Sequence, residues 1–133
     1  RKSKSEGFAF VDEHEQHEFA MITVGAYDHR SKTEQAMFQI DSNLLTNSGA
    51  QVTKKRIALI FQAAAHLHCD TIIAGALGCG AFRNDPDQIA QLHQEVIQQY
   101  PGLVKELVFA IPKSSTRQEY NVNYDAFAKL FHQ

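Results

Sequence analysis

Hydrophobic positions along this chain of 133 residues change character near residue 53. Before it they come in short, separated runs. Residues 1–7 are polar, basic and without periodicity, and are expected to form a disordered lead-in. Residues 8–11 are a strand candidate, 12–18 a charged loop, and 19–26 (FAMITVGA) a buried strand. Ala36, Met37 and Ile40 share one face of a short helix predicted over 33–40. Residues 42–51 are turn-rich, with Asn47-Ser48-Gly49 as a breaker.

Beyond Thr53, a candidate N-cap, the pattern is regular. Ile57, Ile60, Phe61, Ala64 and Leu67 recur at helical spacing. Ile72, Ile73 and Ala74 form the short apolar run of a strand buried in a parallel sheet. Ile89, Leu92, Val96 and Ile97 line one side of a second helix, which Pro101-Gly102 ends. Residues 107–111 are another apolar strand. A last helix, with Asn123 as candidate cap, turns Phe127, Leu130 and Phe131 inward. Strands alternating with helices predict a parallel sheet with helices on its faces.

The richest stretch is 71–92, which reads as strand, glycine loop, helix. Gly75, Gly78 and Gly80 are expected at turns that a Cβ would obstruct. Asp85 can cap the helix, Pro86 suits its first position, and Gln88 completes a variant capping box. A helix N-terminus behind such a loop offers unpaired N–H groups and the positive end of a dipole, the ingredients of an anion site. No Lys-Ser/Thr follows the glycines, which excludes a Walker A loop. The spacing G-x-x-G-x-G is not the dinucleotide fingerprint either. A tight connection that binds nothing is the competing reading.

Composition narrows the classes. The length fits one domain, taken as residues 8–133. A formal charge of −2 gives no electrostatic case for direct nucleic-acid binding. No apolar run is long enough to span a bilayer. Cys69 and Cys79 make no disulfide framework and are expected as reduced thiols in a cytoplasmic setting.

The segment GALGCGAFRNDP (75–86) resembles the signature G-A-(W/L)-G-C-G-x-F-x-N-x-P of microbial-type poly(ADP-ribose) glycohydrolases, a macrodomain-like family. KRIALIFQAAAHLHCD (54–70), ELVFAIP (106–112) and NYDAFAKLF (123–131) are similar to the family's flanking helix, next strand and closing helix. The likeness covers about residues 53–131 and extends to 19–28. It implies a three-layer α/β/α fold with a mostly parallel sheet. The family's catalytic segment is a glycine run followed by two adjacent glutamates, and this sequence has neither. The sequence therefore reads as the C-terminal half of the family domain, without the N-terminal part.

The resemblance implies recognition of ADP-ribose, or of an ADP-ribosylated protein, and hydrolysis of the ribose–ribose linkage of poly(ADP-ribose). That chemistry needs a carboxylic acid to protonate the leaving oxygen. With the paired glutamates absent, this chain is expected to hydrolyse little or nothing, and no catalytic residue is assigned. By resemblance, the ligand-binding residues are Gly75, Ala76, Gly78, Cys79, Gly80, Ala81 and Phe82. Backbone N–H groups of 78–82 would cradle diphosphate and distal ribose. Phe82 either covers the ribose or anchors the loop.

The carboxyl ends of parallel strands form the ligand rim of such sheets. Asp28, Asn84, Asn121 and Asn123 are candidate rim residues. Asp28 is a base, a ribose acceptor or a turn former; Asn84 stabilises the turn in preference to touching ligand. Cys79 is read as a small residue in a tight turn rather than a nucleophile. Arg83 pairs with phosphate or faces solvent. His14 and His17 among Glu13, Glu15 and Glu18, and His66-x-His68-Cys69, are metal-capable but lack a framework, so no metal and no cofactor are expected. Loss of upstream strands would leave a sheet edge to be covered by the missing N-terminal half, by a second copy in a homo-oligomer, or by the strand candidate at 8–11. The alternative class is a non-catalytic nucleotide-binding or protein-interaction module with a vestigial phosphate loop.

Overall fold

The computed structural model describes residues 10, 12–31, 33, 44–117 and 121–131. Among the described residues, a 3-10 turn at Glu13–Glu15 is followed by α1 (Asn47–His66), β1 (Thr71–Ala74), α2 (Pro86–Gln99), β2 (Glu106–Phe109) and α3 (Val122–Phe131). The strands pair in parallel, Thr71 with Glu106 through Ala74 with Phe109. Their carboxyl ends therefore lie side by side, which brings residues from 75 and from 110 to the same end of the sheet.

α1 begins six residues before the expected cap. The Thr46 hydroxyl accepts from the Gly49 amide (3.2 Å), so the Asn47-Ser48-Gly49 breaker becomes the first turn. Polar residues are tolerated there because first-turn amides have no intrahelical acceptor. Thr53 is not a cap but a buried interior residue on the face formed by Gly49, Ile57, Phe61 and Ala64. The helix stops in a Schellman arrangement. Cys69 N–H donates to Ala64 O (2.9 Å) and His68 N–H to Ala65 O (3.1 Å). His68 sits at φ 56°, where glycine is usual.

α2 starts as expected, with the Asp85 carboxylate accepting from Gln88 N–H (2.8 Å) and Pro86 in the first position. The Gln88 side chain does not close a capping box. Its Oε1 accepts from Leu45 N–H (2.8 Å) and its Nε2 donates to Leu45 O (3.2 Å), clamping the chain before α1 to the start of α2. Lys54 and Glu95 (3.2 Å) join the two helices further along. After α2 the chain turns at Pro101-Gly102, with Gly102 at φ 75°.

α3 starts one residue ahead of the assigned cap. Asn123 lies inside its first turn, and Asn121 occupies the entry, its carbonyl accepting from Asp125 N–H (2.8 Å).

Ile57, Ile89, His93 and Val96 are the most completely buried large side chains. Ile72 and Ala74 of β1, with Leu107 and Phe109 of β2, pack on this helical core, where Phe109, Phe127, Phe131 and His93 stack ring against ring. The other sheet face is open: Ile73 and Val108, partners in register, are 73% and 40% exposed. The α/β class and the parallel pairing are as expected, with two paired strands among the described residues.

The buried strand expected at 19–26 does not form. This segment has no strand pairing, and Phe19 and Met21 are 83% and 80% exposed. Ile22, Val24 and Ala26 turn partly inward at period two. Its alternation thus supports one contact face, not the two-sided burial of a central strand. The strand expected at 8–11 lies outside the described residues except for exposed Phe10, and the helix at 33–40 lies outside them except for Thr33.

Candidate functional site

The loop from Gly75 to Asn84 is closed by a few short hydrogen bonds. Cys79 N–H donates to Ala76 O (3.1 Å), Arg83 N–H to Gly80 O (3.0 Å) and Asn84 N–H to Gly78 O (3.1 Å). Asn84, 3% exposed, ties the loop to the first rim segment. Its Nδ2 donates to the carbonyls of Tyr27 (2.7 Å) and Gly78 (3.0 Å). This is the turn-stabilising role expected of it, carried across 57 residues of chain.

Of the three loop glycines, only Gly78 is demanded by the fold. It has φ 74°, and a Cβ there would lie 2.5 Å from Asn84 Nδ2 and 2.6 Å from Ala26 Cβ. Gly75 and Gly80 were expected at obstructed turns. Neither has a positive φ, and a Cβ on either would meet nothing within 4 Å. Their missing side chains leave open space above the backbone.

The amide of Cys79 is spent inside the loop. Those of Gly78, Gly80, Ala81 and Phe82 have no hydrogen-bond acceptor among the described residues. The end of α2 itself is engaged by the Asp85 carboxylate, so an anion would have to use these loop amides rather than the helix cap.

Asp28 and Phe82 meet through Arg30. Asp28 accepts from Arg30 Nε (2.9 Å), Nη2 (2.8 Å) and the Arg30 backbone N–H (2.9 Å). Hydrogen bonds from the Arg30 side chain, then its backbone, hold the Asp28 carboxyl down to about 2. Asp28 is therefore a bound carboxylate with little capacity as a proton acceptor at neutral pH. The Arg30 guanidinium lies over the Phe82 ring, 5.1 Å from its centroid, and His29 N–H donates to Phe82 O (3.1 Å).

Cys79 is half-buried, and burial, then the charge of Asp85, pushes its thiol up to about 12. A thiol in that state is a poor nucleophile, in keeping with a packing role. Arg83 is exposed at φ 61°.

Asn121 is buried and fixes the opposite side of the rim. Its Oδ1 accepts from Ser114 N–H (2.7 Å) and its Nδ2 donates to Ser114 O (3.0 Å), so the amide holds the segment after β2 against α3. Asn123 is half-buried, and the bonds to Ser114 are made by Asn121 rather than by it. Asp28, Phe82 and Asn84 are thus brought together, while Asn121 belongs to a separate clamp.

Sequence reading did not single out Arg30, and it assigned Gln88 to a capping box rather than to its clamp on Leu45. Arg30 carried no periodic signal, and Gln88 looked like part of a cap. Among the described residues no group of three His, Cys, Asp or Glu could hold a metal ion, and His14 and His17 are exposed. No helix among them is long and apolar enough to cross a membrane. A cleft of about 320 Å³ between residues 20–24 and β1 reaches Leu77. Its walls are largely apolar, and they include none of residues 78–82.

A parallel pair opening onto a braced glycine loop places the molecule among the α/β folds that carry a loop at the carboxyl ends of their strands. Solved structures make the likeness specific: the fold matches a macrodomain-like part, about a third, of bacterial poly(ADP-ribose) glycohydrolases, bearing out the family resemblance read from the sequence. The chain is similar to the glycohydrolase from Deinococcus radiodurans in complex with ADP-ribose, with TM-score 0.59 and 22% identity over 77% of this chain and 37% of that one. It is also similar to the glycohydrolase from Thermomonospora curvata, with TM-score 0.55 and 29% identity over 62% of this chain and 30% of that one. The chain thus spans about a third of the length of the structures it matches. No family model and no curated protein matches it.

Proposed function

We propose that this chain is an ADP-ribose-recognising part of a poly(ADP-ribose) glycohydrolase-type macrodomain. The observation that carries the reading is the loop itself. Gly78, Gly80, Ala81 and Phe82 offer backbone amides without acceptors among the described residues. Beside them Gly75 and Gly80 lack side chains that the fold has room for. Glycine where neither φ nor internal packing requires it suits a backbone approached closely from outside. A diphosphate on these amides, with Phe82 against the neighbouring ribose, uses each of these features. ADP-ribose is the ligand held in the Deinococcus radiodurans structure.

Hydrolysis needs a proton donor at the leaving oxygen. Asp28 is a poor candidate because Arg30 holds it ionised. With no adjacent glutamates in its sequence, the chain on its own binds ADP-ribose and cleaves poly(ADP-ribose) slowly or not at all. Calorimetric titration tests this, with AMP and ribose 5-phosphate as controls. Saturable heat selective for ADP-ribose supports the proposal. A folded chain giving no heat at millimolar ligand refutes it.

A second reading is an interaction module, favoured by the exposed apolar pair Ile73 and Val108 on the open sheet face. There a further stretch of polypeptide or a second copy would find a partner surface. Under it, Gly80→Val leaves assembly intact; under the first reading it abolishes ADP-ribose binding.

A further inference from the structure

Several bonds fix the backbone around Phe82, among them His29 N–H to Phe82 O, Arg83 N–H to Gly80 O, Asn84 Nδ2 to Tyr27 O and Asn84 N–H to Gly78 O. None of them decides which way the Phe82 ring faces. Arg30 does touch the ring. Its side chain is half exposed, at 51%, yet it does not extend into water. Nε and Nη2 grip both oxygens of Asp28 in a fork-to-fork pair, which fixes the plane of the guanidinium as well as its position. The guanidinium Cζ lies over the Phe82 ring, 5.1 Å from the centroid. The same Asp28 Oδ1 also accepts from the Arg30 backbone N–H, so carboxylate, backbone and guanidinium form one closed unit resting on the ring.

We infer that Arg30, oriented by Asp28, is a positioning residue for Phe82 and sets how tightly the site takes the sugar beyond the diphosphate. The inference rests on the proposed ADP-ribose reading. With Arg30 over one face of the ring, a bound ribose would meet the ring from the other. Arg30 also removes ring rotamers that would otherwise be lost on binding, a cost that preorganisation lowers. Lysine cannot substitute, because an ammonium has no fork to match the carboxylate and no plane to lay on the ring. Because the effect acts through Phe82, it falls on ligands that carry the distal ribose and spares those ending at the diphosphate.

The test is titration of the whole chain and its Arg30→Met and Arg30→Lys variants with ADP-ribose and with ADP. Thermal unfolding is measured alongside; Arg30 is exposed enough for both variants to fold. Arg30→Met is expected to weaken ADP-ribose by about two- to fivefold, the worth of an exposed cation–π contact, and to leave ADP within experimental scatter. Arg30→Lys should behave more like the Met variant than like the parent chain. Equal loss of both ligands, no loss of ADP-ribose, or a lysine variant that binds like the parent each overturns the inference. If the parent chain binds neither ligand, the ADP-ribose reading falls and takes this inference with it. If the parent binds and Arg30→Met binds equally well, only the inference falls.

Discussion

Replacing Asn84 tests whether the loop is held by a bond that spans the fold. In Asn84→Ala two hydrogen bonds go: the 2.7 Å bond to Tyr27 O and the 3.0 Å bond to Gly78 O. Tyr27 is itself buried, so its carbonyl loses a donor where water does not readily replace it. A neutral bond is worth about 1 kcal/mol net, and removing a partner from a buried group costs about 1–3 kcal/mol. Against this, Asn84 Oδ1 is buried with no hydrogen-bond partner, and deleting it relieves part of the cost. The expected net loss is about 2–3 kcal/mol, a sizeable share of the roughly 5–15 kcal/mol that holds a domain together. Urea unfolding followed by circular dichroism reads it as a lower midpoint at unchanged slope.

Asn84→Asp sharpens the test. It keeps the shape but turns a donor into a carboxylate facing two carbonyl oxygens. The charged form is disfavoured there, so the pKa of the introduced carboxyl rises in the folded state. Relative to the parent, this variant should be worse than Asn84→Ala at pH 7. It should recover as pH falls and the carboxyl gains a proton to donate. An alanine variant within about 0.5 kcal/mol of the parent, the range of ordinary surface changes, or an aspartate variant whose deficit does not shrink in acid, would refute the reasoning.

The other expectations concern glycines, the end of α1 and a buried histidine. Gly78→Ala should destabilise by at least about 1 kcal/mol, from its positive φ and its collision with Asn84 and Ala26. Gly80→Ala should stay within about 0.5 kcal/mol of the parent, since its Cβ would meet nothing; parallel melts check the pair. His68→Gly should stabilise by about 0.5–1 kcal/mol, because it relieves a left-handed residue at the Schellman position but loosens the unfolded chain. A lower melting temperature would contradict it. His93 is held neutral: burial lowers its pKa below 6.5, offset in part by its bond to Ile89 O (2.9 Å). The unfolded chain therefore takes up this proton first. The stability His93 contributes is complete above its unfolded pKa and is lost as pH falls from there through the folded pKa. Between those two values His93→Leu should flatten the acid loss by up to about 1.4 kcal/mol per pH unit, read from urea midpoints; an unchanged slope would contradict it.

Elements whose signals are local were legible in the sequence. The apolar spacing of α1 and α2, the run Ile72-Ile73-Ala74 as a parallel strand, the Asp85-Pro86 start and the Pro101-Gly102 stop all appear in the fold. The expected two-sided burial of that strand does not, since Ile73 is exposed. What escaped depends on partners distant in sequence. Gln88 has the right type and place for a capping box, and only the position of Leu45 shows its amide engaged elsewhere. Phe19 and Met21 look like strand core, but the segment carries only one contact face and both point outward. Thr53 resembles a cap until Thr46 is seen to supply one earlier.

In the candidate site, the loop and the bracing role of Asn84 were readable from residue type. The distinction between Gly78, which the fold requires, and Gly75 and Gly80, which it does not, was not. It depends on what stands opposite each Cα. Arg30 gave no pattern at all, since its role rests on Asp28 two residues away and Phe82 across the loop.

Amide chemical shifts of the isotopically labelled chain, followed as ADP-ribose is added, test the central claim most directly. The account expects saturable shifts concentrated at Gly78, Gly80, Ala81 and Phe82, absent with ribose 5-phosphate and lost in Gly80→Val while the rest of the spectrum stays folded. Shifts that avoid these amides, or that persist in Gly80→Val, would contradict it.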